Sequence, residues 1–301
     1  FADIMNGVLI IDKPAGITSH DVVYRVRRIL KTKRVGHTGT LDPFATGVMV
    51  ILVGQATRLA QFLDKDEKEY EALVRFGFET DTGDVTGLKS AESGMTADEL
   101  AAKLAATDLE KVLALFRGEI DQVPPMYSAK KIDGQKLYEL ARKGETVERK
   151  AVKVTINSLE MIESAADSLR MRVACSAGTY IRTLAEDIGR EIGVGAHLTE
   201  LRRTRAGRFD LTRSITLDDL AKLDEPTAAL IPMEEAVGHL SALTLNTDRV
   251  SKTRSGLSTR IYEDLFADGA TVRMIDEDGQ LVAIGNFDAA ENSVRPRVVM
   301  V

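Results

Sequence analysis

One carboxylate, Asp42, stands in the stretch Gly36-His37-Thr38-Gly39-Thr40-Leu41-Asp42-Pro43-Phe44-Ala45-Thr46-Gly47, which also carries three glycines and a proline. Glycine permits positive φ and close backbone approach, and Pro43 fixes φ directly after Asp42, so the acid is held on a stiffened turn. A carboxylate fixed in this way can act as a nucleophile or a proton acceptor. It can equally be a turn residue that bonds its own backbone, and the loop alone fits both readings. His37, in the same stretch, has no metal-ligand spacing to another histidine or to Cys175.

The surrounding pattern supplies elements to position such a loop. Gly7–Ile11 reads as a short buried strand closed by Asp-Lys-Pro, and Ser19 reads as the cap of a helix whose Val22, Val23, Val26, Ile29 and Leu30 share a face. Val48–Val53 is an unbroken apolar run, the signature of an internal strand. From Glu69 to Phe76 apolar Tyr70, Ala72, Val74 and Phe76 alternate with polar residues, with Leu73 the exception, so Tyr70 faces a core. Thr96-Ala97-Asp98-Glu99 opens a helix with a capping box. Lys153–Met161 and Leu169–Cys175 alternate as strands. Ile181, Leu184, Ala185, Ile188 and Ile192 form a helical stripe that places Tyr180 and Arg182 in its first turn.

Asp224-Glu225-Pro226 is expected to begin a helical connector towards Ala236. Beyond about Leu245 the chain breaks into short strand-like pieces, Thr271–Ile275, Leu281–Ile284 and Val298–Val301, separated by Asp-Gly and Asn-rich turns. The connections between the larger strands are too short for βαβ crossovers. This predicts an α+β domain with a mainly antiparallel sheet, followed by a small β-rich domain.

Bulk composition removes several classes. No run of about 18 uncharged apolar residues exists, and the start shows neither a basic n-region nor a cleavage site, which argues against a membrane span and against export. The lone Cys175 excludes an internal disulfide, and the 4 histidines are not spaced as zinc ligands, so a reducing cytoplasm is expected. Net charge is −6, but it is unevenly spread. Residues 1–40, 129–153 and 201–213 are each basic, whereas 61–122 and 214–301 hold the acidity. Phosphate binding responds to the field within a Debye length of about 8 Å, so three basic patches beside the candidate site favour an RNA partner.

Five blocks carry a resemblance: Gly7-Val8-Leu9-Ile10-Ile11-Asp12-Lys13-Pro14 with Thr18-Ser19-His20-Asp21, the Asp42 stretch, Lys68-Glu69-Tyr70-Glu71, Gln122-Val123-Pro124-Pro125-Met126-Tyr127-Ser128-Ala129-Lys130-Lys131, and Gly178-Thr179-Tyr180-Ile181-Arg182-Thr183-Leu184. In type and order they resemble the TruB family of tRNA pseudouridine synthases, over roughly Gly7 to Arg205. The resemblance implies that Asp42 is the essential catalytic residue and that Arg182 pairs with it. It implies further that Tyr70 stacks on the extruded base with its hydroxyl near the reacting carbon, that Tyr180 and Leu201 line the base pocket, and that His37 fills the space the base vacates. Lys13 would support the loop or a phosphate. Lys130, Lys131, Arg202, Arg203 and Arg205 would contact RNA, although Lys130 stands where the family commonly has an apolar residue.

The same resemblance divides the chain into a catalytic domain, 1–245, with an RNA-gripping insertion at about 124–152, and a small PUA-like domain, 246–301. It implies a monomer that isomerises the uridine at tRNA position 55 in the T-arm stem-loop, by base flipping, without metal or cofactor. Two other classes compete with this reading. A non-catalytic RNA-binding or RNA-chaperone module has no need of Asp42, Tyr70 and Arg182 together, and a carboxylate-dependent hydrolase usually needs paired acids where the loop offers one.

Overall fold

Apolar alternation and apolar runs build a central sheet of nine strands among the described residues of the computed structural model, which are 5–300 apart from 129, 133, 142, 146, 263 and 264. Its main path runs Gly7–Lys13, Thr46–Val53, Ala196–Ala206, Lys68–Phe76, Ser168–Cys175, Val152–Ser164, Gly118–Gln122. All neighbours are antiparallel except Thr46–Val53 with Ala196–Ala206, which pair in parallel at Arg202↔Thr46 and Arg203↔Gly47. The expected α+β class with a mainly antiparallel mixed sheet is therefore found.

Two strands share one edge of Thr46–Val53, and this arrangement positions the Asp42 loop. Val35–Thr38 pairs with its far half, Val35↔Val53 to Thr38↔Val50, while Ala196–Ala206 takes over at Thr46 and Gly47. The segment from Gly39 to Ala45 hangs where one partner strand gives way to the other. Along Lys68–Phe76 burial alternates as the sequence predicts, with Leu73 half-buried.

The helices carry the expected stripes. Thr18, and not Ser19, caps the first helix, Ser19–Ile29: its side chain accepts from the Asp21 amide while Asp21 reaches back in a capping box. The box at Thr96 and Glu99 opens Ala97–Ala106 as expected. Ile181–Ile192 buries Ile181, Leu184, Ala185, Ile188 and Ile192 against Val74, Val173 and Leu198. Full burial of each of these leucine and isoleucine side chains contributes about 1.5–3 kcal/mol. Gly193, at φ 79°, ends the helix in a left-handed cap.

Two expectations from the sequence are corrected at the C-terminal end. The connector is not one helix but two short turns, Pro226–Ala229 and Met233–Ala236, because Ile231 between them bridges Val8 on the free edge of the first strand (2.9 and 2.7 Å). The last strand is Ser293–Val299, where Arg295, Pro296 and Arg297 mask the apolar pattern. The small sheet runs Ser241–Thr244, Thr271–Ile275, Leu281–Asp288, Ser293–Val299, Thr259–Arg260, so it begins ahead of residue 245. Its Leu281, Ile284, Val298 and Met300 share a core with Val8, Ile10, Val48 and Val50 of the large sheet. Between Gly118–Gln122 and Val152–Ser164 the chain leaves the sheet as a hairpin, Lys131–Ile132 with Gln135–Lys136, and a short helix, Leu137–Ala141.

Candidate active site

The Asp42 loop is held chiefly through its backbone. Ser19, free of capping duty, accepts from the Leu41 amide at 2.9 Å and donates to the Leu41 carbonyl at 3.0 Å. Lys13 is 0% exposed, and its ammonium donates to the carbonyls of Pro14, Pro43 and Ala45 at 3.1, 3.2 and 2.6 Å. All three of its donors are used, so of the two roles expected for Lys13 the structure supports the loop and leaves nothing for a phosphate. Burial lowers its pKa to about 8, opposed by Asp42 and reinforced by Arg203. Asp64 accepts from the Gly39 amide at 3.1 Å and completes the frame.

Arg203 is likewise internal. It is 1% exposed, with Nε on the Val48 carbonyl at 2.7 Å and Nη2 on the Gly39 carbonyl at 2.9 Å. The expectation that Arg203 meets RNA is therefore corrected: its guanidinium props the loop from beneath. The signal was present in the sequence, since a two-residue period puts Arg203 on the same face as Leu201. By the same parity Lys68 joins Tyr70 inside, where it donates to the carbonyls of Asp64 and Asp66, a placement that sequence reasoning missed.

Asp42 and Arg182, far apart in sequence, meet at the cavity through a two-pronged contact, Nε to Oδ2 at 2.9 Å and Nη2 to Oδ1 at 3.3 Å. Arg182 is 4% exposed. Its remaining donors reach the Thr82 carbonyl (2.6 Å) and the Tyr127 carbonyl (2.7 Å), and the Asp84 carboxylate stands 3.8 Å away. One guanidinium thus gathers the Asp42 loop, the Thr80–Gly87 loop and the start of the insertion. Neither carbonyl nor Asp84 could be read from local pattern, because each is brought in by chain-distant folding. Burial pushes the Asp42 pKa up from its ordinary value, with Arg182 pulling it down and Asp84 adding to the rise.

A cavity of about 270 Å³ opens over this pair, with Tyr70, Tyr180, Leu201 and Ser128 among its walls. Tyr70 is buried on its strand between Val173 and Arg203, and burial raises its phenol pKa. Tyr180 is half-buried at the N-cap of the Arg182 helix, held by Gln122 through both its amide (2.8 Å) and its carbonyl (3.0 Å). His37 lies on the Val35–Thr38 strand, not in the loop proper and not in the cavity wall. Its ring stands edge-on to His20 at 5.9 Å, its Nδ1 has no partner among the described residues, and burial lowers its pKa.

The remaining residues expected to meet RNA are less uniform. Lys130 is half-buried, and the side chain of Lys131 lies outside the described set. Arg202 makes a two-pronged pair with Asp12 (2.8 and 3.0 Å), and Arg205 is paired with Glu67. Among the described residues no group of three His, Cys, Asp or Glu is placed to hold a metal.

Comparison with known proteins decides the family. Residues 27–181 match the model of the TruB family pseudouridylate synthase N-terminal domain, and residues 182–238 match that of the tRNA pseudouridylate synthase B C-terminal domain. The chain belongs to the TruB family of pseudouridylate synthases. A tRNA pseudouridine synthase B of Aromatoleum aromaticum is 45% identical over 289 residues, covering 95% of this chain and 90% of that protein. One of Burkholderia mallei is 41% identical over 303 residues, covering 99% and 97%. Among solved structures, the protein of an H/ACA RNP bound to a substrate RNA containing 2′-deoxyuridine matches with a TM-score of 0.73 and 28% identity, over 99% of this chain and 86% of that one. A Cbf5-Nop10-Gar1 complex gives 0.72 and 30%, over 99% and 84%. The two TruB matches meet between Ile181 and Arg182, yet one sheet and one cavity cross that junction.

Proposed function

We propose that this TruB-family isomerase acts on tRNA and converts the T-loop uridine at position 55 to pseudouridine. The observation that carries the reading is the Asp42 carboxylate, gripped by Arg182 beneath a cavity whose wall includes Tyr70. The reaction breaks the C1′–N1 bond, turns the uracil and joins C1′ to C5; the C5 proton leaves and N1 gains one, so no electrons are exchanged with a cofactor. Asp42 serves as the group that attacks or takes a proton. The guanidinium holds its two oxygens in one plane and favours the ionised form against the pull of burial.

The uridine must leave its stack to reach Asp42, at a cost of a few kcal/mol. Tyr70 and Tyr180 offer aromatic faces to the extruded base and Leu201 offers an apolar one, and such stacking offsets the cost by about 1–3 kcal/mol per base. His37, outside the cavity, is suited to the space left in the RNA. Lys130, Lys131 and the outward faces of Arg202 and Arg205 supply phosphate contacts, and the Leu245–Val301 segment supplies further affinity for full-length tRNA. The decisive test is site-resolved mapping of pseudouridine in unmodified tRNA and in an isolated T-arm stem-loop after incubation with the purified protein. Conversion at position 55 in both is expected, and modification elsewhere, or none, sinks the reading.

A further inference from the structure

Ser128 lines the same cavity as Asp42, Tyr70 and Arg182, and it is 6% exposed. Its backbone is fully engaged: the amide donates to the Met126 carbonyl at 3.0 Å, and the carbonyl accepts from the Tyr138 amide at 3.1 Å. The residue before it, Tyr127, is pinned by Arg182. Only the side chain is left over, for Oγ is buried and has no hydrogen-bond partner among the described residues.

The other small hydroxyls on this wall, those of Thr40, Ser176 and Thr179, are differently placed, and Thr40 is exposed. Ser176 accepts from the Thr155 amide at 3.0 Å, and Thr179 donates to the Ser176 carbonyl at 2.9 Å. Ser128 alone of the four holds a buried hydroxyl in reserve. A buried donor without a partner is unfavourable in the free protein, and such groups are rare unless something else satisfies them.

We infer that Ser128 is a substrate-recognising residue whose Oγ donates a hydrogen bond to an oxygen of the flipped uridine. Two oxygens offer the same chemistry, a uracil carbonyl and the ribose 2′-hydroxyl. Because Ser128 stands where the chain leaves the sheet for the insertion, this bond also ties the insertion to the nucleoside being modified. The inference rests on the reading of the cavity as the uridine pocket.

Ser128→Ala tests it, with T-arm stem-loops carrying either uridine or 2′-deoxyuridine at the target position. Loss of one such bond should weaken binding of the uridine RNA on the order of tenfold and slow pseudouridine formation at subsaturating RNA to match, while the melting temperature of the free protein stays level or rises. If the 2′-hydroxyl is the acceptor, the 2′-deoxyuridine RNA binds both proteins alike; if a uracil carbonyl is, the tenfold loss recurs on that RNA. Unchanged binding and turnover in an otherwise active protein overturn the inference alone. So does a loss that comes with a lowered melting temperature, since Oγ then has a structural partner. A wild-type protein that modifies neither tRNA nor stem-loop overturns the pocket reading, and the inference with it.

Discussion

Gly47 has no room for a side chain, because the backbone of Arg203 lies directly against it. A Cβ there would stand 2.2 Å from the Arg203 carbonyl oxygen, and φ at this residue is +100°. This is the point where Thr46–Val53 and Ala196–Ala206 pair in parallel, and the loop carrying Asp42 enters the sheet here. Close approach therefore fixes the loop to the strand that also supplies Leu201.

Gly47→Ala should destabilise the protein by at least about 2 kcal/mol, from backbone strain together with the steric clash. Turnover should fall even at temperatures where the variant is folded, because the loop must shift. Chemical denaturation and single-turnover assays measure the two effects, and a variant with wild-type values in both would contradict the packing described.

Asp42→Asn should lower kcat by about 10⁴-fold or more while RNA affinity stays within a few-fold, since shape and basic patches persist. Arg182→Lys should also be severely impaired, because a point charge cannot hold two carboxylate oxygens in one plane, and it should lower the melting temperature as well. The carbonyls of Thr82 and Tyr127 would lose a buried donor. Filter binding, turnover and thermal melts separate these outcomes.

The pH profile follows from the direction of the Asp42 shift. Its pKa is raised, chiefly by burial, so on acidification the carboxylate is lost earlier than an ordinary aspartate would be, and the acid limb of kcat/KM should lie above pH 3.8. Asp84→Asn removes a like charge and should move that limb to lower pH. A limb that stays put in the variant, or moves up, would show that Asp84 does not act on Asp42 through its charge.

Tyr70→Phe keeps the ring and removes the hydroxyl. RNA binding should persist while product formation slows about 10²–10⁴-fold, the range of a lost proton-transfer group. Tyr70→Leu should damage both. Normal turnover in the phenylalanine variant would leave Tyr70 as a platform only.

Much of this was legible in the sequence where a period reports a face. Alternation placed Tyr70 inward, the 3.6-residue stripe placed Arg182 in the first turn of its helix, and the Thr96 box opened its helix where expected. The same two-residue period also carried Lys68 and Arg203 inside, against the habit of reading cations as surface groups. Long side chains of either residue can be buried when backbone carbonyls receive their donors: Lys68 reaches those of Asp64 and Asp66, and Arg203 those of Val48 and Gly39. The placing of Thr82, Asp84 and Tyr127 around Arg182, and of Ser128 on the cavity wall, was beyond reach, for it comes from chain-distant folding that leaves no mark in local spacing.

The core shared by the small sheet and the strands Gly7–Lys13 and Thr46–Val53 bears on the order in which the chain is made. Leu281, Ile284, Val298 and Met300 are made after Asp42, Tyr70 and Arg182, yet they share a core with Val48 and Val50, on the strand that leads out of the Asp42 loop. A nascent chain that has already emitted Asp42, Tyr70 and Arg182 still lacks this packing against Val48 and Val50. The strand that leads out of the Asp42 loop is therefore fully packed only once the small sheet has been made.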